Sequence, residues 1–512
     1  MNRKLDLPAL LLFTAFLFGI IIRFYPAVTN GFPLNDGGMF FTMVEDLKTN
    51  GYRIPQVTTY NHADIPFAYP PLGFYLTAIV SDLLPVSALG IFLYLPAVFN
   101  TLSILAVYLL AKETTDSRIV AALTAVIYAF SWRAFTWQVM GGGITRAPGA
   151  LFLVLMAWQA VKLFREYRHK HLLLTILFGT STVLSHPQTA LHAAVIGFLI
   201  FLAYGRSKRG LLSAVFVGLG VGLLSAPWWL NLLLQHGFAP MASASVTSDR
   251  SLSFYLYILR GLSPLNLPAI PFLILMYIGI WVSIRERNFL YIAWAVLAYL
   301  ADPRGADSIA LVPETVLAAM GLIQLSGWLS REKGEPLERQ IMKRGSLALM
   351  TGILFWSLLM SAVTDFQLVN TSLKQPDLEL MEWVRLNTES NASFLIVTGR
   401  EFSLGDPLQE WFPALTERRS VTTIQGLEWT LAEGFFTWFD QLAELQRCED
   451  VTCVQAWAEG NRIEYDYLIV LSPEDDGLNE VERLNQLSGS ARSSDEFLLF
   501  HELDYALIFK GK

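Results

Sequence analysis

Eleven apolar stretches, most of them about as long as a bilayer is thick, constrain this chain more than any other feature. A helix needs ~20 apolar residues to cross ~30 Å of hydrocarbon. Such segments fall near 5–25, 89–111, 119–137, 148–164, 171–186, 188–204, 211–234, 264–284, 288–302, 309–329 and 345–364. The four at 119–137, 148–164, 171–186 and 288–302 are short or polar-ended, so the expectation is about 11 spans. Pro71–Leu84 is apolar but too short to span, and reads as a helix lying at the interface. The fold class expected is an α-helical polytopic membrane protein.

Charge divides the chain. Residues 1–364 hold 26 Lys and Arg against 17 Asp and Glu, whereas residues 365–512 hold 11 against 27. A transmembrane domain over 1–364 and a soluble domain over 365–512 are therefore expected. Basic residues in short loops favour the cytoplasmic side. With the N-terminus inside, 18 of them fall in cytoplasmic connections. Eight fall outside: Arg23, Lys48, Arg53, Arg133, Arg146, Arg250, Arg260 and Arg304. An odd number of spans then places the acidic C-terminal domain outside the cytoplasm, in an integral protein of the cell membrane.

That extracytoplasmic domain reads as α/β. Asp377–Leu386 and Leu427–Leu445 look helical, and Phe394–Thr398 and Tyr467–Leu471 look like buried strands. Phe497–His501 and Tyr505–Phe509 look like an antiparallel pair. Its acidity argues against binding nucleic acid. Both cysteines, Cys448 and Cys453, lie there, and a disulfide and two free thiols are both open readings.

The first external loop, about 26–88, holds Asp36, Glu45, Asp46, His62, Asp64 and the run Ala68-Tyr69-Pro70-Pro71-Leu72. A long loop with its own acids and prolines is more often functional than a mere connection. Asp36 precedes an amphipathic pattern, Met39-Phe40-Phe41-x-Met43-Val44-x-x-Leu47. Its plain reading is the N-cap of that helix. Its chemical reading is a carboxylate at the membrane surface that deprotonates a hydroxyl or shares a divalent cation. Asp64 is a second-acid candidate. Elsewhere, Arg146 follows Gly141-Gly142-Gly143-Ile144-Thr145, and His186 sits in the turn Ser185-His186-Pro187-Gln188. Each could face the same external cavity or serve only as a snorkelling arginine and a helix cap. The pairs Glu410-Trp411 and Glu428-Trp429 could present carboxylates to a sugar, with packing of the two indoles the favoured reading.

A short N-terminus, one span, a long loop opening with an acid, then Tyr69-Pro70-Pro71-Leu72-Gly73-Phe74-Tyr75 and a span ending Leu105-Ala106-Val107-Tyr108-Leu109-Leu110-Ala111-Lys112 resembles the GT-C superfamily. These are polytopic glycosyltransferases that use polyprenyl-phosphate sugars. The likeness is strongest to bacterial relatives of protein mannosyltransferases and of the lipid A aminoarabinose transferase. Asp302-Pro303-Arg304 followed by Pro313-Glu314-Thr315 looks like a late external loop of that family. Tyr69 stands where relatives have a basic residue, and the loop after the third span lacks their second acid.

The resemblance implies hexosyl or pentosyl transfer from a polyprenyl-phosphate-linked sugar to a lipid, glycan or protein acceptor at the extracytoplasmic face. Asp36 would be the catalytic base. Arg304, then Arg146 and His186, would bind the donor phosphate, and Asp64, Tyr69 and Tyr75 would line the donor and acceptor pocket. A divalent cation, Mg or Mn, is optional, because arginine can meet phosphate charge equally well. Competing readings are a transporter or lipid flippase, which should carry ionisable groups within its spans, and a polysaccharide polymerase or ligase.

Overall fold

The computed structural model describes residues 6–248, 251–261, 267–330, 341–471 and 478–511. Arg250 and the Arg260 side chain, two of the eight external cations, lie outside the described residues. The first part of the chain runs through α1 (Leu7–Asn30), α2 (Gly38–Thr49), α3 (Leu72–Leu83), α4 (Ala88–Thr115), α5 (Arg118–Ala129), α6 (Gly143–Glu166) and α7 (His169–Val183). It continues through α8 (Pro187–Tyr204), α9 (Lys208–His236), α10 (Ala239–Val246), α11 (Leu252–Gly261), α12 (Ile270–Arg285), α13 (Leu290–Ala301), α14 (Ala306–Ser330) and α15 (Arg344–Val369).

Every apolar segment expected to span contains one of these helices. Seven of them, α1, α4, α6, α8, α9, α14 and α15, are long and apolar enough to cross a membrane. The other four, α5, α7, α12 and α13, have 12, 15, 16 and 12 residues. On α9, Leu219, Leu223 and Leu234 point outward fully exposed. Such a surface is stable against lipid and not against water. Inside the bundle, α12 and α14 approach so closely that a Cβ on Gly279 would lie 1.8 Å from the Leu317 carbonyl. Small residues permit that contact where packing, not water exclusion, holds helices together.

The segment 119–137 departs from expectation. Its helix stops at Ala129, and a short turn at Trp132–Ala134 follows. That turn carries Arg133 to Asp307 and Glu314, 2.7 Å from each, contacts that a continuous helix would not make. Arg23 departs too. It is fully buried against the Asn100 side chain and the Ala129 carbonyl, so it is a bundle residue and leaves the external pool. Its electrostatic partner Asp365 lies within α15.

Beyond α15 come α16 (Gln375–Asn387), β1 (Ser393–Val397), α17 (Pro407–Thr416), β2 (Arg419–Ser420), α18 (Gly434–Leu445), α19 (Val451–Gly460), β3 (Tyr467–Leu471), α20 (Leu478–Ser493), β4 (Phe497–Leu503) and β5 (Ala506–Gly511). The sheet order is β2-β1-β3-β5-β4, with β1 parallel to β2 and β3, and β5 antiparallel to β3 and β4. Strands β1 and β3 are apolar along almost their whole length because both faces are covered. Phe394, Ile396, Tyr467 and Ile469 pack beneath α16 and α17. Leu395, Val397, Leu468 and Val470 pack beneath α18, α19 and α20.

The expected helix Leu427–Leu445 is broken into a turn at Leu427–Trp429 and α18. Ser243 on α10 explains the break: its hydroxyl donates to the Glu428 carbonyl and accepts from the Ala432 N–H, at 2.7 and 2.8 Å. Cys448 and Cys453 form a disulfide, closing the connection from α18 to α19. Closing so short a loop stabilises by about 2 kcal/mol in the chain-entropy picture. Cys448→Ser should therefore lower the thermal midpoint of the external domain. Thiol titration of the unfolded, unreduced wild type checks the bond itself, and two reactive thiols would refute it.

Candidate active site

The first external loop folds into a platform on the bundle. Met39, Phe40, Met43, Val44 and Leu47 of α2 pack with Phe74 and Ala78 of α3, which is the amphipathic pattern read from sequence. Asp46, by contrast, is buried and accepts from Thr58 and Thr59. It is a structural anchor for the loop.

Asp36 does not cap α2. The N-cap is Gly37, at φ 127°, and the Asp36 carboxylate turns away to meet Arg146. The pair is bidentate, with Nη1 donating to Oδ2 at 2.7 Å and Nη2 to Oδ1 at 3.0 Å. Oδ1 also accepts the Gly142 N–H at 2.9 Å. A charge-assisted fork outweighs the single backbone bond that a cap would provide. The guanidinium is further held by the Trp137 carbonyl, to which Nε donates at 2.9 Å, and by the Trp137 ring 5.8 Å away.

Two of the three glycines are explained by steric contact with this pair, and the third, Gly143, by the Gln138 carbonyl, 2.0 Å from where its Cβ would lie. A Cβ on Gly141 would lie 1.9 Å from the Asp36 carbonyl, and one on Gly142 would lie 2.6 Å from Oδ2 and 2.8 Å from Arg146 Nη1. The run receives the Asp36 turn rather than wrapping a phosphate.

The C-terminal α/β part of the chain completes the site. From α17, Glu410 accepts the Gly37 N–H at 2.7 Å through Oε1, the Trp411 indole donates to the Asn35 carbonyl at 3.0 Å, and Tyr60 donates to the Glu410 carbonyl at 2.6 Å. Glu410 is buried beside Asp36, and burial, with the Asp36 charge adding to it, pushes its carboxyl up to about 8. Glu428 is likewise raised by burial and faces the field of Arg304. Both indoles do pack in cores, as expected from sequence, and their neighbouring acids still reach the site. The repeated Glu-Trp pair was the signal for them.

Tyr69 and His186 join the cluster. Their rings are 6.1 Å apart, and Tyr69 also meets the Trp429 ring at 5.9 Å. Burial raises the Tyr69 hydroxyl to about 12. His186 caps α8: its Nδ1 accepts the Thr189 N–H at 3.3 Å, which leaves the ring proton on Nε2. In that turn, burial and the nearby Arg146 depress the imidazole to about 3, so it is neutral. Asp64 is exposed in a left-handed turn at φ 50°, with no contact to Asp36. Tyr75 donates to the Tyr52 carbonyl at 2.9 Å and lines a separate cavity of about 430 Å³ with Arg53 and Trp228.

Arg304 is exposed and donates only to the Thr247 hydroxyl, at 3.2 Å. Among the described residues it forms no ion pair, whereas Arg133 and Arg146 are both neutralised. It borders a cavity of about 750 Å³ whose wall includes Phe130, Phe254, Phe272, Trp356 and Met360 and whose polar end includes Arg133 and Trp137. Trp137, on whose ring Arg146 rests, also lines this cavity. Among the described residues no group of three His, Cys, Asp or Glu could hold a metal. The Asp36 carboxylate already has its cation, so a resident divalent ion does not fit this donor set.

The architecture is that of the GT-C membrane glycosyltransferases, as the sequence resemblance implies. More particularly, residues 68–230 match the family described as dolichyl-phosphate-mannose-protein mannosyltransferase. Among solved structures, the chain is similar to ArnT from Cupriavidus metallidurans bound to undecaprenyl phosphate, at 13% identity and a TM-score of 0.55, covering 96% of this chain and 97% of that one. It is similar to the Archaeoglobus fulgidus oligosaccharyltransferase in complex with Zn and sulfate, at 14% identity and a TM-score of 0.55, over 90% of this chain and 67% of that one. The mycobacterial arabinofuranosyltransferase AftD aligns at 13% identity and a TM-score of 0.59, over 98% of this chain and 40% of that one. No curated protein sequence matches the chain.

Gly142 offers a test of the close approach. Its backbone, at φ −65°, suits alanine, and a compatible Gly→Ala change would otherwise stabilise slightly. Gly142→Ala should instead lose about 1–3 kcal/mol through overpacking, read as a lower thermal midpoint. A midpoint unchanged or raised would refute it.

Proposed function

We propose that this protein moves a sugar from a polyprenyl-phosphate donor to an acceptor hydroxyl at the extracytoplasmic membrane face. The observation that carries the reading is Arg304. It is a cation without a carboxylate partner among the described residues, bordering a cavity with an aromatic and aliphatic wall that also includes Trp137, on which Arg146 of the Asp36–Arg146 pair rests. An isoprenoid phosphate has this same division, an apolar tail and a dianionic head. The solved structure of ArnT with undecaprenyl phosphate bound supports the same ligand class here.

In this reading transfer is a direct displacement. The acceptor oxygen attacks the anomeric carbon, the bond from that carbon to the phosphate oxygen breaks, and the acceptor proton passes to Asp36. Arg146 keeps Asp36 aimed, because its fork fixes both carboxylate oxygens, and Oδ2, which accepts only from Nη1, retains a lone pair for the acceptor proton. Arg146 is therefore a positioning residue rather than a phosphate ligand. Arg304 and the Nε2–H of His186 meet the charge that develops on the departing polyprenyl phosphate. Tyr69 forms a wall between them, while Asp64 and Tyr75 have no part in the step.

The reading includes the orientation deduced from the basic residues, with residues 365–512 outside the cytoplasm. A cysteine placed at exposed Asp495 should label from outside in intact cells, and protection there would overturn the topology.

Transfer of radiolabelled sugar from polyprenyl-phosphate donors by the purified protein tests the chemistry. Asp36→Asn should cost at least about 100-fold in kcat. Arg304→Gln should lower kcat/KM for donor about 10- to 100-fold, the worth of one charge-assisted hydrogen bond. Full activity of Asp36→Asn would remove it as the base.

A further inference from the structure

We propose that Glu410, supplied by the external domain, is a positioning residue of the transfer site that fixes the Asp36–Gly37 turn while leaving Arg146 to Asp36 alone. The inference rests on the transferase reading above. Its geometry is independent of that reading. Glu410 Oε1 takes the Gly37 N–H at 2.7 Å, the first residue after the proposed base. The backbone is seated just as closely, since a Cβ on Gly38 would lie 2.5 Å from the Glu410 carbonyl. Helix α17 thus holds the Gly37 side of the turn, while Gly141, Gly142 and Arg146 hold Leu34 and Asp36 from the bundle.

The charge count gives this contact its chemical meaning. Two further carboxyl groups, those of Asp36 and Glu428, bear on Glu410, with Arg146 the cation beside it and Arg304 the cation acting on Glu428. Both terminal nitrogens of Arg146 face Asp36 and its Nε faces Trp137. Glu410 is buried with no ion pair of its own among the described residues, so its carboxyl stays protonated at neutral pH. The charged groups on the elements packed against α17 are engaged elsewhere. On α2, Asp46 is bonded to Thr58 and Thr59, and Lys48 to Asp82. Tyr60 donates to a backbone carbonyl, Arg419 of β2 is exposed, and Asp377 of α16 accepts the Lys374 N–H.

Ionising Glu410 would set a second negative charge against Asp36 and draw on the same guanidinium. The backbone contact to Gly37 would survive that change, because a carboxylate accepts the N–H as well as a carboxylic acid does. A purely structural Glu410 therefore predicts no pH effect, and a positioning Glu410 predicts one.

The test compares wild type, Glu410→Gln and Glu410→Ala in the full-length purified protein. The donors are a panel of polyprenyl-phosphate-linked hexoses and pentoses. Gln keeps the acceptor for Gly37 and cannot ionise. Its kcat/KM at pH 7 should fall only about fivefold, whereas Ala, which orphans a buried N–H, should cost about 10- to 100-fold. Above about pH 8 the wild type should lose about tenfold per pH unit, and the Gln variant should not.

A second readout needs no turnover. The folded chain holds the Glu410 proton to about pH 8, and the unfolded chain releases it near ~4.3. Stability from the neutral form is thus present at low pH and lost as pH rises through that window. The wild-type thermal midpoint should fall between about pH 5 and pH 8 relative to Glu410→Gln. An alkaline limb retained in Glu410→Gln, or Gln as damaging as Ala, would overturn the positioning role. A midpoint difference independent of pH would overturn the uncharged state. Absence of transfer by the wild type would instead overturn the transferase reading, and the midpoint comparison would still decide the charge of Glu410.

Discussion

Taking a carboxylate out of water at the edge of a bilayer is costly unless a cation and hydrogen bonds replace the lost hydration. Asp36 meets that condition through Arg146 and the Gly142 amide, and much of the surrounding structure follows from it. The turn at Gly141–Gly143 must be free of side chains for the two groups to meet. The helix of segment 119–137 must end early so that Trp137 can sit under the guanidinium. Gly37, not Asp36, must start α2.

The same constraint joins the two halves of the chain. A turn carrying a fixed anion needs its own amides satisfied, and the partners come from the C-terminal part of the chain. Glu410 takes the Gly37 N–H, Thr371 takes the Asn35 N–H at 2.9 Å, and Trp411 supplies the Asn35 carbonyl with a donor. Asn61 exchanges two hydrogen bonds with Ser420 of β2, at 2.9 and 2.7 Å. The acidic domain is therefore part of the site's wall. The surplus of negative charge read from its composition hides a buried acid, Glu410, and a half-buried one, Glu428, that face the helical bundle.

What could be read from sequence was whatever depends on period and composition. The helices in the eleven apolar segments, the short apolar helix α3, the strands β1 and β3 and the β4–β5 hairpin all follow from burial patterns local to a few residues. The disulfide was open to reading as one of two states. The site was legible in part: Asp36, Arg146, Tyr69 and His186 do converge. Their pairing was not, because Asp36 and Arg146 are 110 residues apart and nothing local says which anion an arginine meets. Asp64 was chosen for its neighbourhood to the Pro-Pro turn, yet a single left-handed residue sends its side chain to solvent. The break in Leu427–Leu445 depends on Ser243, a residue far away in sequence, and so no periodicity could reveal it.

The external cations show how the fold converts a pool into a choice. Counting placed eight basic residues on one side of the membrane, all equally able to meet a phosphate. Arg23 sinks into the bundle against Asn100 and loses access. Lys48 is tied to Asp82 at 3.0 Å, Arg133 to Asp307 and Glu314, and Arg146 to Asp36. Each of these pairs is satisfied already, and an incoming phosphate would have to displace a carboxylate from it. Among the described residues Arg304 bonds only to the Thr247 hydroxyl, a neutral group that a phosphate oxygen could replace at a net gain in charge-assisted hydrogen bonding. Electrostatic economy thus favours Arg304 in its proposed role over the buried Arg23 and the paired Lys48, Arg133 and Arg146; Arg53, likewise without an ion pair among the described residues, lines the other cavity with Tyr75.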